Sequence, residues 1–145
     1  MESRRVAGHR YDPDREERRV TGWPPDCSLL ILEDEPMIMM DLEFVAGDRG
    51  CAVVCATGVS HALELLAGDA RICGAVLDVN LGRGETCLPV ARELESRGIP
   101  YVLHSGDLNR QDELVRQLGA THVAKPASAE RVIRIAIEAA CSNGG

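Results

Sequence analysis

The sequence predicts an α/β protein in which five short strands alternate with five helices and form one parallel sheet covered on both faces. Three observations predict it. Apolar runs too short for helices recur along the chain, and each is apolar throughout rather than alternating, as a strand buried on both faces must be. Between them lie segments whose apolar residues recur every three or four positions, opened by Pro or Ser and closed by Gly. The chain has 145 residues, 45% of them apolar and 27% charged, which suits one domain with a core of its own.

Residues 1–27 stand apart as an N-terminal extension. They hold six arginines and six acids, three prolines and almost no aliphatics, so they cannot bury a core. Trp23, beside Pro24 and Pro25, is the one residue there suited to docking. The domain proper is expected over residues 28–145. Ser28 to Leu32 reads as the first strand. Pro36 suits the first turn of a helix, where its missing N–H would be unpaired anyway; Ile38, Leu42 and Val45 carry the stripe and Gly50 closes it. Cys51 to Ala56 is the second strand, and Ser60 is placed to cap a short helix bearing Leu63, Leu65 and Leu66. Ile72 to Leu77 is the third strand, ending at Asp78. A glycine loop follows, then a helix from near Pro89 to Gly98, and a fourth strand over Ile99 to Leu103. Leu114, Val115 and Leu118 mark a fourth helix ended by Gly119. Thr121 to Ala124 is the fifth strand, and Ser128 caps a last helix through Val132, Ile133, Ala136, Ile137 and Ala140. Right-handed crossovers leave few topologies for this pattern, and the flavodoxin-like order 2-1-3-4-5 is the common one at this size.

Composition excludes several functions. The net charge is −7, and since the extension is neutral, all of it lies in residues 28–145, which argues against grip on nucleic acid. No apolar run approaches a membrane span, and Met1 to Arg10 is too charged for a secretory signal, so the expected location is the cytoplasm. The six cysteines include no C-x-x-C pair, and the four histidines complete no zinc pattern. All six are expected to be free thiols.

In open α/β sheets, function gathers at the carboxyl ends of the strands. The first strand ends in Glu33-Asp34-Glu35, the third in Asp78, the fourth in His104-Ser105-Gly106 and the fifth in Lys125-Pro126. Carboxylates gathered there repel one another unless something positive offsets them, and hard oxygen ligands with room for water suit Mg²⁺. Lys125 is the only lysine; the other fifteen basic residues are arginine. A compact charge on a flexible stem is therefore placed where composition would have put a planar fork. Carboxylate, cation, hydroxyl and ammonium together suit in-line attack of a carboxylate on phosphorus.

LLILEDEP, AVLDVNLGRGE, GIPYVLHSG and AKP, in this order at four strand ends, resemble the receiver domain of two-component response regulators over residues 28–141. LDVNLG, with Pro89-Val90-Ala91 and Arg97-Gly98-Ile99-Pro100, is similar to stand-alone receivers partnered with HWE-class histidine kinases, the FAT GUY type. The resemblance implies Asp78 as phosphoacceptor, with Ser105 and Lys125 binding the phosphoryl group. It implies Mg²⁺ held by Asp34, Asp78 and the Asn80 backbone carbonyl, with Glu33 acting through water. It implies Ser105 and His122 as the switch pair and a cis Lys125–Pro126 peptide. Glu33 stands where Asp is commoner, Ser105 where Thr is, and His122 where Tyr or Phe is usual. The implied partners are a sensor histidine kinase and a downstream protein or phosphotransfer protein.

Met37, Met40 and Phe44 fall opposite the core stripe of the first helix and form a second apolar stripe, a candidate docking face. The last helix is apolar around most of its circumference, which a partner or a second copy could use. The chain ends just past that helix, so the expected role is a receiver without an output domain, signalling by binding or acting as a phosphate sink, and not an enzyme. Three other readings compete. A small Asp-nucleophile phosphatase would carry D-x-D on the first strand, whereas here D-x-N falls at the end of the third. A flavin or nucleotide carrier would need a phosphate loop where Glu33-Asp34-Glu35 stands, which would repel phosphate. A phosphorylation-independent pseudo-receiver would lack a catalytic group, and none is missing.

The resemblance yields a first prediction, on the lifetime of the phosphate. By that resemblance Asn80 and Asp107 would flank the path of a hydrolytic water, and both are short and polar. Asn80→Lys and Asp107→Arg should each slow loss of phosphate, followed by intact mass over time. A wild type stable for hours and unchanged by either substitution would contradict this.

Overall fold

A computed structural model describes residues 23–106 and 117–143. Five strands form one parallel sheet: β1 (Cys27–Leu32), β2 (Ala52–Ala56), β3 (Arg71–Leu77), β4 (Tyr101–Ser105) and β5 (Thr121–Ala124). Their order is β2-β1-β3-β4-β5, as expected. Four helices are described: α1 (Pro36–Asp48), α2 (Val59–Ala67), α3 (Leu88–Ser96) and α4 (Ala129–Asn143). The helix expected around Leu114 and Val115, and residue Asp107, lie outside the described residues, as do residues 1–22.

Alternation along each strand divides the core into two layers. Leu30, Leu32, Leu77 and Leu103 face α2 and α3, where they meet Ala62, Leu66, Val90 and Leu94. Leu29, Ile31, Val76 and Val102 face α1 and α4, where they meet Leu42, Val45, Ile133 and Ala136. Burial of each such side chain contributes about 1.5–3 kcal/mol, so both layers hold the sheet flat against its helices and fix where its carboxyl edge sits.

Element boundaries follow local chemistry. Pro36 opens α1 at its first turn, and Gly50, at φ 88°, takes the left-handed position after its end. The Ser128 hydroxyl accepts the Arg131 N–H at 3.1 Å and caps α4. Ser60 does not cap α2: the helix starts one residue before it, Gly58 is the capping position, and the Val59 N–H donates to Glu85 Oε1 at 3.5 Å. The fourth strand runs Tyr101–Ser105 rather than Ile99–Leu103, because Ile99 still bonds back to Leu94 at the end of α3. Met39, outside the expected stripe, is buried, while Ile38 is only half-buried. The apolar excess of α4 is spent inside the fold, since Ile135 also packs on the α1–α4 layer.

The folded part begins ahead of residue 28. Trp23 packs on the α1–α4 layer and donates its indole N–H to the Cys27 carbonyl at 3.1 Å. Asp26 forms a two-oxygen contact with Arg71, at 3.0 and 3.1 Å.

The expectation of six free thiols is corrected. Cys27 and Cys73 form a disulfide with a Cα–Cα distance of 5.6 Å. The cause is a register shift: Ser28 pairs with Ile72 but Leu29 with Gly74, so Cys73 is the extra residue of a bulge beside β1. Uniform runs of apolar residues give no sign of a bulge, which is why cysteine spacing did not betray the pair. Cys51, Cys55, Cys87 and Cys141 are free. A disulfide spanning 46 positions stabilises by up to about 4 kcal/mol on the loop-entropy estimate. Alkylation of the unfolded, unreduced chain should therefore label four cysteines, and six after reduction, counted by intact mass. Six labels without reductant would refute the bridge.

Candidate functional site

The carboxyl edge of the sheet collects the residues expected there. β1 carries its buried run one residue further: the Glu33 N–H donates to the Ala56 carbonyl at 3.1 Å, and Glu33 is almost wholly buried. Its Oε2 accepts the Glu35 N–H at 3.1 Å, which turns the chain into α1 and leaves Asp34 exposed over the edge. Asp78 extends β3 in the same way, donating its N–H to the Leu32 carbonyl at 2.9 Å, and is 4% exposed. One carboxylate oxygen each from Glu33, Asp34 and Asp78 lies within 4.8 Å of the others.

Lys125 reaches this cluster from the end of β5. Its Nζ stands 3.4 Å from both Asp78 Oδ2 and Glu33 Oε1. Lys125–Pro126 is cis, as the resemblance implied. Ser105 is buried at the end of β4. Its carbonyl accepts the Lys125 N–H at 3.1 Å and faces His122 Nε2 at 3.3 Å. The contact between the two expected switch residues is thus made to the backbone of Ser105. Asn80 is exposed, in a loop tied by a bridge to Thr86; Gly82 and Gly84 turn this loop at φ 80° and 76°. A Cβ on Gly82 would stand 3.5 Å from Asp34 Oδ2, so this glycine brings backbone close to the acidic cluster.

The electrostatics are those of a crowded acidic crevice. Burial first, and then the neighbouring Glu33 and Asp34, raise the Asp78 pKa to about 7, with Lys125 only partly opposing them. Burial alone would lower the Lys125 pKa, but Asp78 and Glu33 outweigh it and hold the ammonium charged. The three carboxylates fit a hard divalent cation: their oxygens converge, and one lysine does not neutralise them.

Met37, Met40 and Phe44 are 77%, 65% and 74% exposed on α1, and are the exposed large apolar residues of the described part. Sequence reasoning missed two features. Cys87, just before α3, has its thiol pushed up to about 12 by burial and then by the charge of Asp78. His104 is buried, with neither ring nitrogen hydrogen-bonded among the described residues. The signal was available: an imidazole stands in a strand otherwise apolar up to Ser105.

No protein-family model and no curated protein sequence matches the chain. Solved structures do. A response regulator receiver protein from Sinorhizobium medicae superposes with a TM-score of 0.71, at 22% identity, covering 81% of this chain and 96% of that one. SdrG from Sphingomonas melonis is 32% identical, with 80% and 97% covered and a TM-score of 0.65. The receiver domain of NtrX from Brucella abortus is 25% identical, with 77% and 97% covered and a TM-score of 0.66. In fold, the chain is a response-regulator receiver domain. No described helix is long and apolar enough to cross a membrane.

The raised pKa of Asp78 carries a stability prediction. An acid whose folded pKa lies above its unfolded one destabilises the fold when ionised. The penalty is absent below about pH 4 and complete above about pH 7. Asp78→Asn should therefore stabilise the metal-free protein by about 2–4 kcal/mol at pH 8 in denaturant melts. The gain should shrink as the pH falls from 7 toward 4. A destabilised Asn variant at pH 8 would refute this account of the crevice.

Proposed function

We propose that this chain is the receiver of a response regulator, which accepts a phosphoryl group on Asp78 from the phosphohistidine of a sensor kinase. The observation that carries the reading is the position of Asp78 between a carboxylate cluster and the sole lysine, whose Nζ is 3.4 Å away. An Asp78 oxygen bonds to phosphorus as the phosphorus–nitrogen bond breaks. The electron pair stays on the departing nitrogen, and the ring leaves as neutral imidazole because its other nitrogen carries a proton. Lys125 and the Ser105 hydroxyl donate hydrogen bonds to the phosphoryl oxygens. Glu33, Asp34, Asp78 and the Asn80 carbonyl would hold Mg²⁺, which supplies positive charge against the crowded oxygens when bound. Ser105 and His122 would pass the change to the surface near β4 and β5.

The exposed stripe Met37, Met40 and Phe44 on α1 lies beside the crevice and would meet the partner protein. On the similarity of LDVNLG and its flanks, the kinase is of the HWE class. The protein works in the cytoplasm, as a phosphoprotein that signals by binding or drains phosphate, and not as an enzyme with a small-molecule substrate. An Asp-nucleophile phosphatase fits less well, because Asn80 stands where its second acid would be expected.

Incubation with acetyl phosphate and Mg²⁺ should add one phosphoryl group by intact mass, and none to Asp78→Asn. Omission of Mg²⁺ or Asp34→Ala should cut the rate by at least about tenfold. Equal labelling of Asp78→Asn would overturn the reading.

A further inference from the structure

The disulfide at the amino end of the sheet fastens a short piece of chain that lies outside every strand and helix. Cys27 opens β1, and residues 23–26 run ahead of it. Two hydrogen bonds of this segment tie it only to itself: the Trp23 indole N–H donates to the Cys27 carbonyl, and the Cys27 N–H to the Pro24 carbonyl, both at 3.1 Å. Among the described residues, its links to the rest of the fold are the exposed Asp26–Arg71 ion pair, the packing of Trp23 on the α1–α4 layer, and the bridge from Cys27 to Cys73. We propose that this bridge is a redox-sensitive clasp: formed, it holds the Trp23 segment on the sheet, and reduced by a dithiol, it lets that segment leave. The clasp lies at the opposite end of the sheet from the phosphoacceptor crevice and uses none of its residues. Residue 23 is also where the described fold meets residues 1–22, so the clasp sets the point at which that extension is tethered.

Four features suit the bridge to opening within the folded protein. The two core layers are built without either sulfur, so they stay packed when the bond breaks. The two cysteines are unequally shielded: Cys27 is 1% exposed, whereas Cys73 is half-buried and can be reached by an attacking thiolate. Cys73 is also the residue that the bulge leaves out of the ladder, between the paired Ile72 and Gly74, so an adduct on it displaces no register pair. Finally, the neighbouring thiol does not interfere. Cys51 comes one position before Ala52, the register partner of Ser28, and so stands beside Cys27 at the edge of the sheet. Burial first, then the charge of Cys141, push its thiol up to about 11, with Arg49 only partly opposing them. Near neutral pH it is therefore un-ionised and does not attack the bridge itself.

The exchange balances with a dithiol as the co-reactant. One dithiol sulfur, as the thiolate, bonds to Cys73 Sγ as the bond to Cys27 breaks, and the electron pair leaves on Cys27 Sγ. The second dithiol sulfur then attacks the first, and the pair of that bond leaves on Cys73 Sγ. The two protons given up by the dithiol end on Cys27 and Cys73. The protein gains two electrons, and the dithiol loses two and becomes a cyclic disulfide. The same steps in reverse close the clasp. Once it is open, residues 23–26 are held by an ion pair in water, which contributes little, and by a tryptophan that is only half-buried.

Trp23 is the only tryptophan, so its emission reports the segment directly. The full chain is treated with dithiothreitol in buffer without denaturant, then unfolded and alkylated to count its thiols by intact mass. Reduction of the folded protein should go to completion and raise the count from four to six. In step with it, the Trp23 emission should shift to the red and become easier to quench with acrylamide, while far-UV circular dichroism stays unchanged. An excess of oxidised dithiothreitol should restore the first state. Cys73→Ser, which cannot form the bridge, should show the red-shifted emission with and without dithiothreitol. That variant separates release of the segment from the mere removal of a sulfur pair that quenches the indole. A bridge that is reduced only in denaturant is a fixed staple, and overturns the proposal. So does reduction of the folded protein that leaves the emission maximum and the acrylamide quenching unchanged. Loss of circular dichroism together with the emission change overturns it as well, since the bridge would then support the whole fold rather than one segment.

Discussion

Mutual repulsion among Glu33, Asp34 and Asp78 is the constraint on which the rest of the structure bears. Two of the three are almost fully buried, and their oxygens converge within 4.8 Å. Left to relax, such groups would move apart into water. They do not, because each of the two buried ones is a one-residue continuation of a strand locked by backbone bonds to its neighbour. The sheet beneath them is packed between two helix layers and cannot yield at its edge without opening the core. Lys125 offsets part of the charge from a third strand, and the remainder is free energy that a cation or a proton can recover. A site whose ligands are held in an unfavourable electrostatic arrangement by the scaffold responds strongly to what binds there.

The layout of this site was legible in the sequence because it needs little beyond topology. Uniformly apolar runs identify buried parallel strands, and in such a sheet the residue after each run falls at the carboxyl edge. Asp78 and Lys125, 47 positions apart, could therefore be put in one crevice before any distance was known. Boundaries were less legible. Ile99 is apolar and follows a glycine, so it reads as strand, but its N–H closes the end of α3 instead. Ser60 has the chemistry of a cap, yet the chain enters α2 one residue earlier. In both cases a backbone hydrogen bond, invisible to side-chain pattern, decides the matter.

What could not be read at all depends on register. The bulge that turns Cys73 to Cys27 leaves no mark in composition, because either register would bury the same side chains. The same holds for Trp23, whose docking depends on where β1 begins. These contacts, with Asp26–Arg71, sit at the amino end of β1 and β3. They tie down the end of the sheet remote from the crevice. The two ends are thus built differently: one is cross-linked and pinned, and the other holds unneutralised charge and an imidazole without a hydrogen bond among the described residues.

Lys125 joins the two unfinished features of the second end. Val102 faces the α1–α4 layer and Leu103 the opposite one, so His104 returns to the α1–α4 side, where Lys125 also lines a cavity. The Lys125 ammonium nevertheless bonds Asp78 and Glu33 over the top of the sheet. One side chain therefore has its stem in the cavity between α1 and the segment after β5 and its charge in the proposed phosphoacceptor crevice. An occupant that restricts the stem changes the set of positions open to the ammonium. A phosphoryl group that draws the ammonium toward itself changes the wall that an occupant meets. Linkage makes these effects reciprocal: whatever an occupant does to the affinity of the crevice for charge, charge in the crevice does to the affinity for that occupant. A lysine serves this better than the arginine used everywhere else in the chain, since its flexible stem passes along an apolar wall while its point charge turns between carboxylates.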